Sequence, residues 1–465
     1  MFPHRWPGGI MKKFVKFTSY LLMAAFFTVA LSGCKKQAVI DPNANKIIVW
    51  SFEDEDSWKS TKKIFENTNK GYELVYQQQS LDDSYENRVL NSMLSGQGPD
   101  VWSMPNDWVY RHKEKLYPMP EEMIKTGIDL DKDFVPAIKQ SVVFGQKIYA
   151  LTPSVEPLMV FYNQKMFNKT LDEKKAGIKD KTEVDRLNSL LNEVPKTWSD
   201  FTESAKLLTK KDGNNIIQSG LALGTSNIKY SEDIIYLLML QNDTKIISDN
   251  LKLATFNLPG STSTGGNNVP GKRAIEFYTS FSNPNSPNYT WNDQLGDNIS
   301  EFANGKVAMV IGYSSLQNEL LQKYPDFTYK KAFVPQLNTD SDQIQDFASF
   351  NAFGVNKLSK NIGPSWNLVK LLSYDQANDF SSSTRLYTSK KAPSYSIGIK
   401  ERSSSNPEKL SLATASSLVK GRYPKEFDGL INLAIRSINT GTQDPQSAID
   451  LAANNITEQI REELW

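Results

Sequence analysis

Beyond residue 45 the chain alternates between short apolar, β-branched runs and longer stretches with helical spacing. Lys46-Ile47-Ile48-Val49-Trp50 reads as a buried first strand. Ser57 to Asn69 follows, with Trp58, Ile64 and Phe65 on the inner face of a helix. Tyr72 to Tyr76 alternates as a second strand, and Tyr85, Val89, Met93 and Leu94 recur at helical spacing. Gly96-Gln97-Gly98-Pro99 stops that helix, and Asp100-Val101-Trp102 resumes a strand. This alternation predicts an α/β layer with parallel pairing. Further on, Thr197 or Ser199 caps a helix whose inner face is Phe201, Ala205 and Leu208. More amphipathic helices are expected over Ala274–Phe281, Trp366–Tyr374 and Pro445–Ile460, with a charged helical insertion at the surface over Lys169–Val194.

Composition narrows the chemistry. The 465 residues hold one Cys and two His, which excludes an internal disulfide and any Cys-rich or three-His metal site. A net charge of +1 argues against a nucleic-acid partner. The N-terminus is different in kind. Lys12, Lys13 and Lys16 precede an apolar stretch from Phe17 to Ala30, too short to span a bilayer comfortably. Leu31-Ser32-Gly33-Cys34 follows and resembles a bacterial lipobox, so residues 1–33 are expected to be a signal peptide and Cys34 the acylated residue. Removing 1–33 takes away four basic residues and no acidic one, leaving 49 bases against 52 acids. Residues 34–45 read as a polar tether from a lipid anchor.

Several landmarks in register resemble the extracellular solute-binding proteins of sugar-type ABC importers, the family of maltose-binding protein. They are Ile47 to Trp50, Gly98-Pro99-Asp100-Val101, Ile148 to Pro153 with Glu156 and Tyr162-Asn163, Pro195-Lys196-Thr197-Trp198-Ser199-Asp200-Phe201, Phe302 to Met309, and Asp444 to Ala448. The chain departs from the pattern at Thr152, in the 169–194 insertion, and at Tyr313 where many relatives carry Trp. The resemblance implies an α/β, type II-like periplasmic-binding-protein fold of two lobes with ligand in the cleft between them. One lobe would comprise 46–155 plus 340–385 and the other 160–336 plus 390–465. The hinge is expected near 154–162, 336–342 and 384–390. It further implies a monomeric, membrane-tethered extracytoplasmic protein that hands a carbohydrate to separate ABC permease subunits, with no cofactor and no resident metal.

Sugars offer hydroxyl rims and apolar faces, so a sugar site calls for carboxylates, amides and aromatic planes. Glu53 and Asp54 follow the first strand, whose C-terminal end faces the crevice in an open α/β sheet. Asp107 and Trp108 follow the third strand in the same way. Glu156 lies in an otherwise apolar stretch where an unpaired carboxylate is costly. The resemblance adds Tyr313 and Trp291 as stacking candidates and Asn351 as a hydroxyl contact, with Arg385 and Tyr387 near the last lobe crossing.

Other patterns carry less. Gly266 to Arg273 nearly spells a phosphate-binding loop, but Arg273 replaces the Ser/Thr that binds magnesium. Asp129, Asp131 and Asp133 imitate a calcium loop without its Gly or its Glu, and fit a helix start better. His112, between Arg111 and Lys113, is expected on an exposed helix surface. Two rival functions remain: a secreted glycan hydrolase using paired carboxylates, and a glycan-capturing surface lipoprotein that feeds no importer.

Overall fold

A computed structural model describes residues 45–125, 127–260, 268–337, 344–391 and 406–462. The chain divides into Met1–Asn45 and Lys46–Trp465. The expected signal peptide and Cys34 lie outside the described residues. Among the described residues no helix is long and apolar enough to cross a membrane.

Lys46–Trp465 is built on two sheets. In the first, strands Glu73–Gln78, Lys46–Ser51 and Val101–Pro105 run parallel, and Asn351–Val355 and Ala150–Leu151 extend the sheet by antiparallel pairing. Helices Glu55–Thr68 and Tyr85–Leu94 connect the parallel strands, burying Trp58, Phe65, Tyr85 and Val89. The second sheet forms around Ser154–Tyr162, a nine-residue strand that is buried at every position except the half-buried Glu156. Its outer half, from Leu158, pairs with Met309–Tyr313 on one side and Lys330–Phe333 on the other. Its inner half pairs with Asp346–Ser349 and Tyr387–Thr388. Pro157 sits where these partners change, opposite Ala348, and having no N–H it leaves one ladder position without a donor.

Buried apolar side chains fall into two clusters, one per lobe. The first holds residues between Ile47 and Val155, then Ala348 to Phe380, with Leu412 and Ala415. The second holds Leu158 to Val334, Phe347, and Leu418 to Ile460. The chain therefore changes cluster between Val155 and Leu158, between Phe347 and Ala348, and between Ala415 and Leu418. Part of the hinge expected at 336–342 falls on 338–343, outside the described residues.

Asn106 pins the second of these crossings. Its Nδ2 donates to Ser141 Oγ at 3.0 Å, and its Oδ1 accepts from Ser349 Oγ at 2.9 Å and from the Phe350 N–H at 3.3 Å. Its own N–H donates to the Phe350 carbonyl at 2.9 Å. Two expectations are corrected here. The 169–194 segment is helical, as Gln164–Lys175 and Lys181–Leu191, but it is no mere surface addition: Leu187, Leu190 and Leu191 are buried in the second core. His112 is 1% exposed, not a surface residue. It stands 3.1 Å from Glu86 Oε1 and packs against Trp102 and Trp108, because the helix Trp108–His112 places both end residues on its inner face.

Asn106→Ala leaves the buried Phe350 N–H and Ser349 hydroxyl without their acceptor. A loss of about 1–3 kcal/mol is expected, read as a lower thermal denaturation midpoint. An unchanged midpoint would show that the crossing does not depend on this amide.

Candidate functional site

Among the cavities that the described residues line between the lobes, two hold candidate residues and are lined from both sides of the cleft. The larger, about 630 Å³, lies where the first strand ends, the long central strand begins and helix Leu316–Lys323 approaches. Its lining is polar. Glu53, Asp54 and Glu156 supply carboxylates, Asn318, Gln322 and Asn351 amides, and Ser57, Ser315, Ser383 and Thr384 hydroxyls. Among the described residues that line it, Phe52 is the only aromatic one and Arg385 the only cationic one. Glu53, Asp54, Glu156 and Asn351 were all nominated from sequence, from three separate regions of the chain, and the fold brings them together.

The carboxylates are held in distinct ways. Glu53 accepts from the Ser51 hydroxyl, while its backbone carbonyl accepts from the Tyr76 hydroxyl. Asp54 accepts from Gln78 Nε2 at 3.3 Å. Burial pushes the Glu53 carboxyl above the usual carboxylate range. Burial does the same to Glu156, reinforced by the charge of Glu53 and opposed by hydrogen bonds from Ser315. Protonated and ionised forms of both groups are thus closer in energy at neutral pH than in an exposed carboxylate. Each can accept from a ligand hydroxyl when ionised and donate when protonated.

The second lobe contributes residues the sequence reading missed. Gln317 Nε2 donates to the Arg385 carbonyl at 2.7 Å, and Asn318 Nδ2 to the Thr384 carbonyl at 3.3 Å. These bonds tie helix Leu316–Lys323 to the segment after Ser383, where Arg385 adopts φ +57°. Asn318 Oδ1 is buried and has no hydrogen-bond partner on the wall of the cavity. No sequence motif marks Asn318; only the tertiary approach of its helix does.

The remaining candidates separate. Asp107 and Trp108 line the smaller cavity, about 490 Å³, with Asp82, Asp83, Lys425 and Asp428. Asp107 Oδ2 is 3.3 Å from Lys420 Nζ, and its buried Oδ1 has no hydrogen-bond partner. Tyr313 lines neither cavity. It is 7% exposed and edge-on to Tyr230, with centroids 4.9 Å apart. Trp291 is fully buried in the second core, so its ring offers no face to a ligand, and the stacking role expected of it is withdrawn. Tyr387 lines a third cavity adjoining the larger one, sharing Asn318, Leu321, Arg385 and Leu386 with it.

This architecture has known counterparts. At 97% coverage of this chain and 98% of its own, a galactooligosaccharide-binding protein of Bacillus subtilis is 21% identical. The sugar-binding protein MalE of Xanthomonas citri superposes with a TM-score of 0.69 at 16% identity, covering 90% of this chain and 98% of its own. An ABC substrate-binding protein of Listeria monocytogenes, solved in complex with cycloalternan, gives 0.65 at 16% identity, covering 89% and 98%. The family model for bacterial extracellular solute-binding proteins matches residues 61–388, and the chain belongs to that family.

Proposed function

We propose that this protein captures a carbohydrate in the larger interlobe cavity and presents it to the permease of an ABC importer. The observation that carries the reading is the convergence of Glu53, Asp54, Glu156 and Asn351 on one polar cavity between the lobes. Such a lining matches the rim of a polyhydroxylated ligand, which both donates and accepts hydrogen bonds. A relative named for binding galactooligosaccharide, and structural neighbours solved with cycloalternan and maltotetraose, point the same way. Another structural neighbour is described in complex with glycerophosphocholine. Three carboxylates against Arg385 make this lining unfavourable for a phosphate, so a neutral sugar is the better fit.

In this reading Glu53, Asp54, Glu156 and Asn351 contact ligand hydroxyls, and Asn318 joins them from the second lobe. Asp107 and Trp108 lie at a separate end of the cleft, and Tyr313 is not among the contacts. Ligand favours the closed arrangement of the lobes by its higher affinity for it, and the permease reads that arrangement. The same proposal has residues 1–33 removed and Cys34 acylated, holding the protein outside the cytoplasm at a membrane. No reaction is assigned to the carboxylates.

A thermal-shift screen of oligosaccharides should find one sugar class that raises the melting temperature by about 2–8 °C. Chromatography of the same mixtures should show the sugar unchanged; released product would replace binding with hydrolysis. Glu156→Gln should weaken that sugar by about 10- to 100-fold, the scale of a hydrogen bond to a charged group, measured by calorimetric titration.

The unliganded protein should also report these two carboxyls, Glu53 and Glu156. Their folded pKa values are raised, so the folded state holds protons the unfolded state has already released. Their contribution to stability is therefore greatest at acidic pH and is lost as pH rises from the usual carboxylate range through the raised values. Glu156→Gln should flatten this part of the melting-temperature profile. An identical slope in the variant would remove Glu156 from the account.

A further inference from the structure

The last change of lobe is followed by Lys420-Gly421-Arg422-Tyr423-Pro424-Lys425, directly before and into helix Pro424–Asn439. Although Leu418 and the helix belong to the second core, this segment turns back onto the first lobe. Gly421 permits the turn at φ +82°, a region most side chains avoid. Lys420 is 8% exposed, with Nζ 2.8 Å from Asp428, 3.3 Å from Asp107 and 3.9 Å from Asp233. The Tyr236 ring lies 5.2 Å away, and its hydroxyl donates to Asp428 at 2.7 Å. Asp107 belongs to the first lobe, whereas Asp233 and Asp428 belong to the second.

Neighbouring contacts run the same way across the cleft. Arg111 of the first lobe, held by Glu86 at 2.6 Å, donates to the Arg422 carbonyl and lies 5.6 Å from the Tyr423 ring centroid. Lys425 reaches Asp83 at 3.1 Å. These last contacts are exposed and weak singly. The Lys420 group is enclosed. Burial alone would lower the Lys420 pKa, but Asp428, Asp107 and Asp233 hold the ammonium charged. Three carboxylates outnumber it, and burial pushes those of Asp233 and Asp428 upward. Removing one partner from such a cluster leaves buried charge uncompensated.

We propose that residues 420–425 form a clasp between the lobes, with Lys420 as the positioning residue that draws Asp107 onto Asp233 and Asp428. The clasp closes one end of the cleft. Asp107 and Asp428 line the smaller cavity, whose lining includes neither Glu53 nor Glu156. The Lys420 cluster thus forms part of the wall of the smaller cavity, away from Glu53 and Glu156. The inference rests on the two-lobe geometry and holds whatever the ligand is.

Hydrogen exchange followed by mass spectrometry on the unliganded full chain tests it. Lys420→Ala should speed exchange several-fold in first-lobe peptides covering 82–88 and 107–112, while strands 46–51 and 154–162 keep their protection. Asp107→Asn should give the same pattern, and the double variant no more than either single one. Ethylammonium at millimolar concentration should restore protection to Lys420→Ala, as should the charge-conserving Lys420→Arg in part, whereas ethanol should not. Acceleration confined to 424–439, or additive effects of the two substitutions, would reduce Lys420 to a second-lobe packing residue and overturn the clasp. Should Lys420→Ala fail to fold, Asp107→Asn decides alone. It keeps the Lys420–Asp428 pair, so a larger radius of gyration by small-angle scattering supports the clasp and an unchanged one overturns it.

Discussion

The strand Ser154–Tyr162 is the constraint on which the rest depends. Its backbone is hydrogen-bonded to four other strands, and its two halves face different cores. Nearly every side chain along it is buried, so a one-residue slip would exchange the faces presented to each core. Register is thereby fixed, and with it the position of Glu156, the one carboxylate in the run. The same backbone that joins the lobes aims a ligand-competent group into the gap between them.

Holding carboxyls in that gap has a cost, and the structure offsets it in two ways. At Glu53 and Glu156 the offset is local, from serine hydroxyls and backbone hydrogen bonds, and leaves both groups easy to protonate. At Asp107, Asp233 and Asp428 it comes from one shared cation, Lys420, which lies far along the chain from the first two. The first arrangement leaves room for an outside partner. The second has its partner already in place.

What the sequence made legible follows from which interactions are local. Apolar runs with turn residues between them indicated the first three strands and their helices. Thr197 was readable as a cap, and its hydroxyl does accept from the Asp200 N–H at 3.1 Å. Glu53, Asp54 and Glu156 stood out because strand ends and a charge in an apolar run have physical meaning before any fold is known. Asn318, Lys420 and the burial of Trp291 were not legible. Each depends on which elements meet, and Asp107 and Lys420 are more than 300 residues apart along the chain. His112 is an intermediate case. Its charged neighbours suggested exposure, yet Trp108 one helical turn earlier marked the inward face, and that signal was there to be used.

The burial of Trp291 and Tyr313 leaves Phe52 as the aromatic surface of the larger cavity. A ligand seated there exchanges hydrogen bonds with water for hydrogen bonds with carboxylates, amides and hydroxyls, and covers little apolar area. Binding of that kind carries a favourable enthalpy set against an ordering entropy, with only a small negative heat-capacity change. Its binding enthalpy therefore varies less with temperature than that of a site built on stacked rings, because the term that gives binding its heat-capacity change, the hydration of apolar surface, is largely left out of the exchange.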